Sequence, residues 1–250
     1  MACGAYETCV RAIFFDLDNT LIQTRKADNK ACNKLVEIMH HEYGMPQEEA
    51  SQSAAGFLRA FRARPDDDSF ALDEWPAHLW RNSLPKNYRH IAKTISSLWF
   101  KMRFQNLALT PDVIHLLESM REDYLLCLIT NGSSRAQWQK IELLHLRKYF
   151  DTVLVSGDLP WEKPDQQIFL EACKLLKVEP RHCVMVGDKL ETDIKGGKEA
   201  ELWGTVWIPL QKDLEASDLP DFTIEKVTEL PEVLPSSPKL KRTKFNLNEC

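Results

Sequence analysis

The order of apolar and polar residues divides the chain into short hydrophobic runs separated by longer segments of helical character. The runs are rich in Val, Ile, Leu and Phe, and they are RAIFFD from Arg11, YLLCLIT from Tyr124, TVLVS from Thr152, CVMVG from Cys183 and TVWI from Thr205. They are continuous rather than alternating, which is typical of parallel strands that helices cover on both faces. The pattern therefore predicts an α/β fold built on a doubly wound parallel sheet.

The segments between the later runs have the apolar spacing of amphipathic helices. They are PDVIHLLESMRE from Pro111, SRAQWQKIELLHL from Ser134 and PDQQIFLEACKLLK from Pro164, in which apolar residues recur at helical spacing. Proline is favoured in the first turn of a helix, because the backbone N–H that it lacks would have no partner there. We therefore expect Pro111 and Pro164 to lie in first turns.

A long stretch between the first two runs, residues 23–107, has no strand pattern. Three parts of it are predicted as amphipathic helices: NKACNKLVEIMHHEYG, QEEASQSAAGFLRAFRA and NYRHIAKTISSLWFKMRF. We therefore predict an all-helical second domain at residues 22–107, inserted into a core domain of residues 1–21 and 108–234. Residues 235–250 are polar and basic without apolar periodicity, and we predict a disordered tail there.

Composition and charge narrow the classes of partner. The 250 residues are 44% hydrophobic and 28% charged with a net charge of -5, so general attraction to nucleic acid or to a membrane is not expected. The seven cysteines form no CxxC or other metal-ligand spacing, which favours reduced structural thiols. No apolar stretch has the length of a membrane span. We expect a cytoplasmic protein with a small-molecule partner, and the oligomeric state stays open.

Polar residues that can bind an anion or a cation follow the apolar runs directly. In a doubly wound sheet, ligands bind beyond the carboxyl ends of the parallel strands. The residues found there are Asp16, Asp18 and Thr20 after the first run, Thr130 and Asn131 after the second, Lys163 after the third, and Asp188 and Asp193 after the fourth. We predict that these residues converge at one edge of the sheet.

This set of residues suits phosphoryl transfer. A phosphomonoester dianion repels an anionic nucleophile until a cation such as Mg²⁺, bound by one or two carboxylates, offsets its charge. Asp16 and Asp188 are predicted to bind that cation, while Lys163 and the Thr130 hydroxyl hold phosphoryl oxygens. Asp16 and Asp18 project to the same side of an extended strand end, so one can attack phosphorus while the other transfers protons. Attack by a carboxylate gives an aspartyl-phosphate intermediate.

DLDNT, ITNG, EKP and GDKLETD resemble the motifs of the haloacid dehalogenase superfamily of hydrolases, and they extend from Phe14 to about Ala200. The insert is similar to the all-helical cap of the C1 subgroup. The resemblance implies a Mg²⁺-dependent phosphatase. By position in the motifs it implies that Asp16 is the nucleophile and a metal ligand, and that Asp18 is the acid and base, with its backbone carbonyl on the metal. Asp188 would be a further metal ligand, and Asp193 a supporting carboxylate. The implied contacts of the phosphoryl group are Leu17, Asp18, Thr130, Asn131 and Lys163.

Within the superfamily, the segments ITNG, SGDLPWEKP and CVMVGDKLETDIKGG are most similar to the branch that acts on N-acylneuraminate 9-phosphate, a phosphorylated sialic acid. That compound is the expected substrate, with another sugar phosphate or phosphoglycolate as the alternative. An alternative from a different class is a catalytically reduced protein that keeps the fold for binding or scaffolding. The chain departs from the superfamily at Lys189, usually a small polar residue, and at Glu201, commonly Gly.

Overall fold

The computed structural model describes residues 9–63, 69–71, 74–210 and 217–235 of the chain. Apart from Pro235, the predicted disordered tail lies outside the described residues. Helices flank a parallel sheet, so the predicted fold class is confirmed. Among the described helices, none combines the length and the apolar character needed to cross a bilayer.

The sheet is parallel throughout, with six strands in the order β3-β2-β1-β4-β5-β6. The strands are β1 (Ala12–Phe15), β2 (Leu125–Thr130), β3 (Thr152–Val155), β4 (Cys183–Gly187), β5 (Gly204–Trp207) and β6 (Phe222–Thr223). The first five are the predicted apolar runs. The order reverses at β1, which lies between β2 and β4, and a doubly wound sheet opens a crevice at such a point.

The register of the central strands aligns their carboxyl ends. Phe15, the last residue of β1, pairs with Leu128 on one side and with Val186 on the other. Every residue of β1 and β4 is buried, as the unbroken apolar runs predict. Strand β1 therefore ends at Phe15, and Asp16 follows it beside the end of β4.

The α-helices are α1 (Thr24–Tyr43), α2 (Gln47–Ala63), α3 (Glu74–Ser83), α4 (Ala92–Asn106), α5 (Pro111–Asp123), α6 (Ser134–Leu143), α7 (Gln166–Leu176), α8 (Lys195–Glu199) and α9 (Leu230–Val233). Of the three predicted helices of the insert, α1 and α2 match the first two, and the third is divided into a 3-10 turn at Lys86–Ile91 followed by α4. The sequence pattern does not predict α3, because Pro76 interrupts its helical spacing.

Two proline predictions have different outcomes. Pro111 lies in the first turn of α5, where the Thr110 hydroxyl accepts a hydrogen bond from the Val113 N–H at 3.4 Å. The prediction for Pro164 is wrong, because α7 begins only at Gln166. Asp165 is its N-cap, and the Asp165 carboxylate accepts from the Gln167 N–H at 2.9 Å.

The described residues form two compact units. One contains those within Met1–Leu21, Leu109–Asn131 and Ile141–Cys250, and the other those within Ile22–Ala108 and Gly132–Lys140. The helical unit has an aromatic core in which the Phe57 ring stacks on Trp80, with centroids 4.1 Å apart. We retain the predicted boundaries, a core of 1–21 and 108–234 and a cap of 22–107, as a proposal.

Candidate active site

The loop after β1 carries the first group of predicted site residues. Asp16 is buried, and its N–H donates to the Val186 carbonyl at 2.9 Å, so the residue is fixed to the end of β4. Leu17 is fully buried, whereas Asp18 is half-buried. The Leu21 N–H donates to the Leu17 carbonyl at 3.1 Å, which folds the loop back on itself.

Lys163 is a buried cation that joins two of the predicted carboxylates. Its Nζ atom lies 2.7 Å from Asp16 Oδ1 and 2.7 Å from Asp193 Oδ1. Nζ donates hydrogen bonds to Asp16 Oδ1 at 2.7 Å and to the Ile129 carbonyl at 2.8 Å, whereas its contact with Asp193 Oδ1 is an ion pair. A phosphoryl oxygen that contacts Lys163 would therefore join three protein oxygens around the ammonium.

Asn131 and Thr130 follow β2 and differ in their surroundings. The Asn131 side chain donates to the Lys163 carbonyl at 2.8 Å and accepts from the Lys163 N–H at 2.9 Å. These reciprocal bonds fix the backbone from which the Lys163 side chain extends. The Thr130 hydroxyl is buried and has no hydrogen-bond partner among the described residues, so it can donate to a ligand.

Neighbouring groups fix the two aspartates that follow β4, Asp188 and Asp193. A Cβ atom on Gly187 would lie 2.3 Å from Asp193 Cγ, so only glycine leaves room for the Asp193 side chain. Asp193 Oδ2 accepts from the Lys189 N–H at 3.0 Å. The Asp188 carbonyl accepts from the Trp207 indole N–H at 3.0 Å, which fixes the main chain of Asp188.

Three buried carboxylates, those of Asp16, Asp188 and Asp193, each offer an oxygen within 4.8 Å of the others. Neither oxygen of Asp188 has a hydrogen-bond partner among the described residues. A buried carboxylate without a partner is costly, and a bound cation would supply the missing interaction. Hard carboxylate oxygens are the ligands that Mg²⁺ prefers, so these residues fit a Mg²⁺ ion.

The pKa values of the cluster point to the same conclusion. Burial raises the pKa of Asp16 to about 6, although the Lys163 ammonium opposes this shift. Burial, together with the charges of Asp16 and Asp193, raises the pKa of Asp188 to about 7, although Lys189 and Lys163 oppose it. The pKa of Lys163 is raised, because its two carboxylate partners outweigh the effect of burial, so Lys163 stays charged. A divalent cation would favour the ionised form of both aspartates.

Trp207 and Gly187 also belong to this site, although neither is among the residues predicted from the sequence. Trp207 is the last residue of β5, and its position at a strand end was a usable signal. Gly187 is the last residue of β4, and a glycine at the end of an apolar strand signals close approach by another group.

The sheet order and the buried carboxylates beyond the carboxyl ends of β1 and β4 define a doubly wound α/β protein with a candidate cation site where the strand order reverses. A sequence model of the haloacid dehalogenase-like hydrolases matches residues 10–201, and the chain belongs to this family. It is 35% identical over 234 residues to N-acylneuraminate-9-phosphatase of Rattus norvegicus, covering 91% of this chain and 94% of the relative. The suspected superfamily is therefore confirmed.

Two other comparisons agree with this assignment. The chain is 32% identical to glyceraldehyde 3-phosphate phosphatase of Pyrococcus furiosus, covering 90% of this chain and 93% of that protein. The crystal structure of a HAD phosphatase from Thermococcus onnurineus superposes with a TM-score of 0.64 at 27% identity, covering 91% of this chain and 99% of that one. The chain is a phosphatase of this family, a phosphoric monoester hydrolase.

Proposed function

We propose that this chain is a Mg²⁺-dependent phosphatase that converts N-acylneuraminate 9-phosphate to free sialic acid and phosphate in the cytoplasm. The substrate is supported by the similarity to the rat protein of that name, which extends over nearly the whole of both chains. The reaction type is supported by the site. The observation that carries the metal requirement is the buried Asp188 carboxylate, which has no partner among the described residues.

Asp16, Asp188 and the backbone carbonyl of Asp18 are the proposed Mg²⁺ ligands. When bound, Mg²⁺ offsets the negative charge of the phosphoryl oxygens and of the carboxylates. Asp193 takes a supporting role, because its two oxygens contact Lys163 and the Lys189 N–H at 2.7 and 3.0 Å. Asp193 thereby holds Lys163 against Asp16.

Asp16 is the proposed nucleophile. Its carboxylate attacks phosphorus, the bond between phosphorus and the sugar oxygen breaks, and an aspartyl-phosphate forms. The Lys163 ammonium, 2.7 Å from Asp16 Oδ1, favours the ionised form that attacks and fixes its direction. Asp18 then has two tasks: it protonates the leaving sugar oxygen, and it takes a proton from the water that attacks phosphorus. That second attack releases phosphate and restores the Asp16 carboxylate.

The other residues proposed to contact the phosphoryl group are Leu17, Thr130 and Asn131. The buried Thr130 hydroxyl can donate to a phosphoryl oxygen at no cost to another described hydrogen bond. The backbone N–H groups of the loop after β1 and of the turn after β2 are the proposed donors at Leu17 and Asn131. Donors fixed in a folded backbone need no reorientation during the reaction.

Glyceraldehyde 3-phosphate is the second candidate substrate. The relative of that name from Pyrococcus furiosus is 32% identical and is also covered over nearly its whole length. Other sugar phosphates and phosphoglycolate remain alternatives of the same reaction type. The binding or scaffold alternative is disfavoured, because such a protein has no need to keep the mutually repelling Asp16, Asp188 and Asp193 buried together.

Phosphate release from a panel of phosphorylated metabolites tests this proposal. The panel contains N-acetylneuraminate 9-phosphate, glyceraldehyde 3-phosphate, phosphoglycolate and glucose 6-phosphate, each with Mg²⁺ and with EDTA. We expect phosphate to be released selectively from the sialic acid phosphate. EDTA and Asp16→Asn should each abolish this release, whereas the exposed control Asp218→Asn should leave it unchanged. Selective release from another compound would reassign the substrate, and no release from any of them would contradict the proposal.

A further inference from the structure

A hydrogen bond from a tryptophan side chain reaches the main chain of a proposed metal ligand. The Trp207 indole N–H donates to the Asp188 carbonyl at 3.0 Å, and both residues are buried. Trp207 is the last residue of β5, and it pairs with Gly187, which ends β4 immediately before Asp188. The bond therefore joins two adjacent strand ends at the point where the chain leaves β4.

The peptide group that follows Asp188 is hydrogen-bonded at both of its polar ends. Its carbonyl, which belongs to Asp188, accepts from the Trp207 indole N–H at 3.0 Å. Its N–H, which belongs to Lys189, donates to Asp193 Oδ2 at 3.0 Å. A peptide group is planar, so hydrogen bonds at its two opposite edges fix the orientation of the whole plane. The backbone torsion that links this plane to the Asp188 Cα atom is fixed with it.

The direction of the Asp188 side chain depends on this backbone. Neither of its carboxylate oxygens has a hydrogen-bond partner in the described ranges of the chain, whereas the Asp193 oxygens contact Lys163 and the Lys189 N–H. Mg²⁺ demands near-octahedral geometry, so a ligand that points in another direction weakens its binding. A group that fixes the main chain of Asp188 therefore helps to place the carboxylate for a cation.

We propose that Trp207 is a positioning residue of the metal site, whose indole N–H orients the main chain of Asp188 so that the carboxylate is held in place for Mg²⁺. The inference rests on the proposed function, because it takes Asp188 as a metal ligand. The indole has a single N–H, and the bond to Asp188 uses it. Trp207 acts through Asp188, so its effect should appear in the affinity for the metal and not in the affinity for the substrate.

Two substitutions of Trp207 separate the hydrogen bond from packing. Trp207→Phe removes the N–H and keeps a large aromatic ring. Trp207→His leaves a smaller ring, but its Nε2 lies nearly where the indole nitrogen lies and is able to donate. Trp203→Phe is the control, because Trp203 is a half-buried tryptophan that stacks on Phe222. The Mg²⁺ dissociation constant of each full chain is measured by calorimetry at pH 8 without substrate.

We expect Trp207→Phe to raise the Mg²⁺ dissociation constant about five- to fiftyfold, as for other groups that orient a metal ligand. Trp207→His should raise it less, although it removes more volume, and loss of packing alone would give the opposite order. Trp203→Phe should change it less than about twofold. In phosphate release, Trp207→Phe should raise the Mg²⁺ concentration for half-maximal rate by the same factor. KM for N-acetylneuraminate 9-phosphate at saturating Mg²⁺ should change less than about twofold.

Nuclear magnetic resonance of the wild type tests the same bond without a substitution, whether or not the variants fold. The indole N–H resonance of Trp207 should shift as Mg²⁺ is added, because a cation at the Asp188 carboxylate changes the field at the carbonyl that accepts this bond. The indole N–H resonance of Trp203 should not shift.

Three results would overturn this inference and leave the phosphatase proposal intact. They are a Trp207→Phe protein that binds Mg²⁺ as tightly as the wild type, a greater loss of affinity in Trp207→His than in Trp207→Phe, and a Trp207 resonance that stays unchanged at saturating Mg²⁺. A wild-type protein that binds no Mg²⁺ would instead overturn the metal requirement of the proposed function, and the role of Trp207 with it.

Discussion

Lys163 lies between Asp16 and Asp193, and its ammonium contacts both of their carboxylates and the Ile129 carbonyl. A lysine in this position has a structural effect and a chemical one. It offsets the repulsion between two buried carboxylates, and it favours the ionised form of the proposed nucleophile. Loss of the ammonium should therefore reduce stability and activity together.

Lys163→Met tests this dual role. The change leaves Asp16 and Asp193 buried without their cation, so the free energy of unfolding at pH 8 should fall by about 3 to 5 kcal/mol. The loss should be smaller at pH 5, where the unpaired carboxylates can take up protons. Urea denaturation at both pH values measures this, with the exposed Lys174→Met as control. An equal loss at both pH values would show that packing, and not charge, is the cause.

Loss of the Asp188 charge should have the opposite effect to loss of the Lys163 charge: it should raise the free energy of unfolding of the metal-free protein. Burial and neighbouring charges raise its pKa from 3.8 to about 7, so the folded protein binds a proton that the unfolded chain releases at lower pH. In EDTA this carboxylate should therefore destabilise the fold increasingly as the pH rises from about 4 to about 7. We expect Asp188→Asn to be more stable than the wild type by about 1 to 3 kcal/mol at pH 8 in EDTA, and equal to it near pH 4.

Added Mg²⁺ should reverse the order of the two proteins. The wild type should gain stability with Mg²⁺ concentration, whereas Asp188→Asn should gain little, because it lacks a ligand. Thermal unfolding with Mg²⁺ or EDTA at pH 8 follows both effects. An Asp188→Asn protein that is less stable than the wild type in EDTA would contradict the buried, unpartnered state of this carboxylate.

The sequence could predict which residue types follow each strand, because the strands are apolar and the sheet aligns their ends. It could not predict which of those groups bond to one another. Lys163 contacts carboxylates far away in the sequence, and Asn131 bonds to its backbone, and both pairings depend on loop conformations that no periodicity encodes.

At the scale of elements, the end of α8 shows a local conflict between sequence and backbone. Glu201 follows the helix with φ of 54°, and the Leu202 N–H donates to the Gly197 carbonyl at 3.1 Å, as in a helix end that normally carries glycine. A side chain with this backbone conformation costs about 1 kcal/mol. The superfamily's usual glycine at this position fits the observed turn.

We predict that Glu201→Gly raises the free energy of unfolding by about 0.5 to 1 kcal/mol, because it relieves the left-handed backbone. Activity should not change. The control Glu199→Gly, at the last residue of α8, should lower stability by about 0.5 to 1 kcal/mol, because glycine disfavours a helix. Chemical denaturation of both variants measures the difference. A destabilised Glu201→Gly would mean that the Glu201 side chain makes a compensating contact.

Within the helical unit, α1 and α4 are joined by a buried ion pair. Arg103 Nε lies 2.6 Å from Asp28 Oδ1, both side chains are nearly inaccessible, and the guanidinium lies 5.2 Å from the Trp99 ring centroid. We expect Arg103→Met to destabilise the protein by about 3 to 5 kcal/mol, since it leaves Asp28 unpaired. The double variant Asp28→Leu with Arg103→Met should recover most of this loss. Additive effects in denaturation measurements would contradict a coupled pair.

The elements that the sequence does not predict have short or interrupted patterns. β6 has only two residues, Phe222 and Thr223, which is too short for an apolar run. α3 contains Pro76, and its buried face is made of tryptophans, proline and leucine within ten residues. The predicted helix also extends beyond the end of α6 at Leu143, because the apolar spacing continues to Leu146, past the left-handed backbone of His145. Tertiary contacts, and not local periodicity, decide such cases.

At the scale of the whole molecule, the two compact units follow from a change of periodicity along the chain. Continuous apolar runs produce the sheet, and the insert between β1 and β2 has only helical spacing. No comparable pattern along the sequence indicates the substrate, because a few side chains at the site determine which substrate binds. The family and reaction type were therefore predictable, whereas the substrate is a proposal that depends on the relatives.

The central claim is that Asp16 carries the phosphoryl group during turnover, and reductive trapping measures this most directly. The protein is mixed with N-acetylneuraminate 9-phosphate and Mg²⁺, quenched during turnover and treated with borohydride, which reduces an acyl phosphate to an alcohol. Peptide mass spectrometry should find Asp16 converted to homoserine only when substrate and Mg²⁺ are both present, with Asp18 unmodified. Rapid turnover with unmodified Asp16, or conversion at Asp18 instead, would contradict the account.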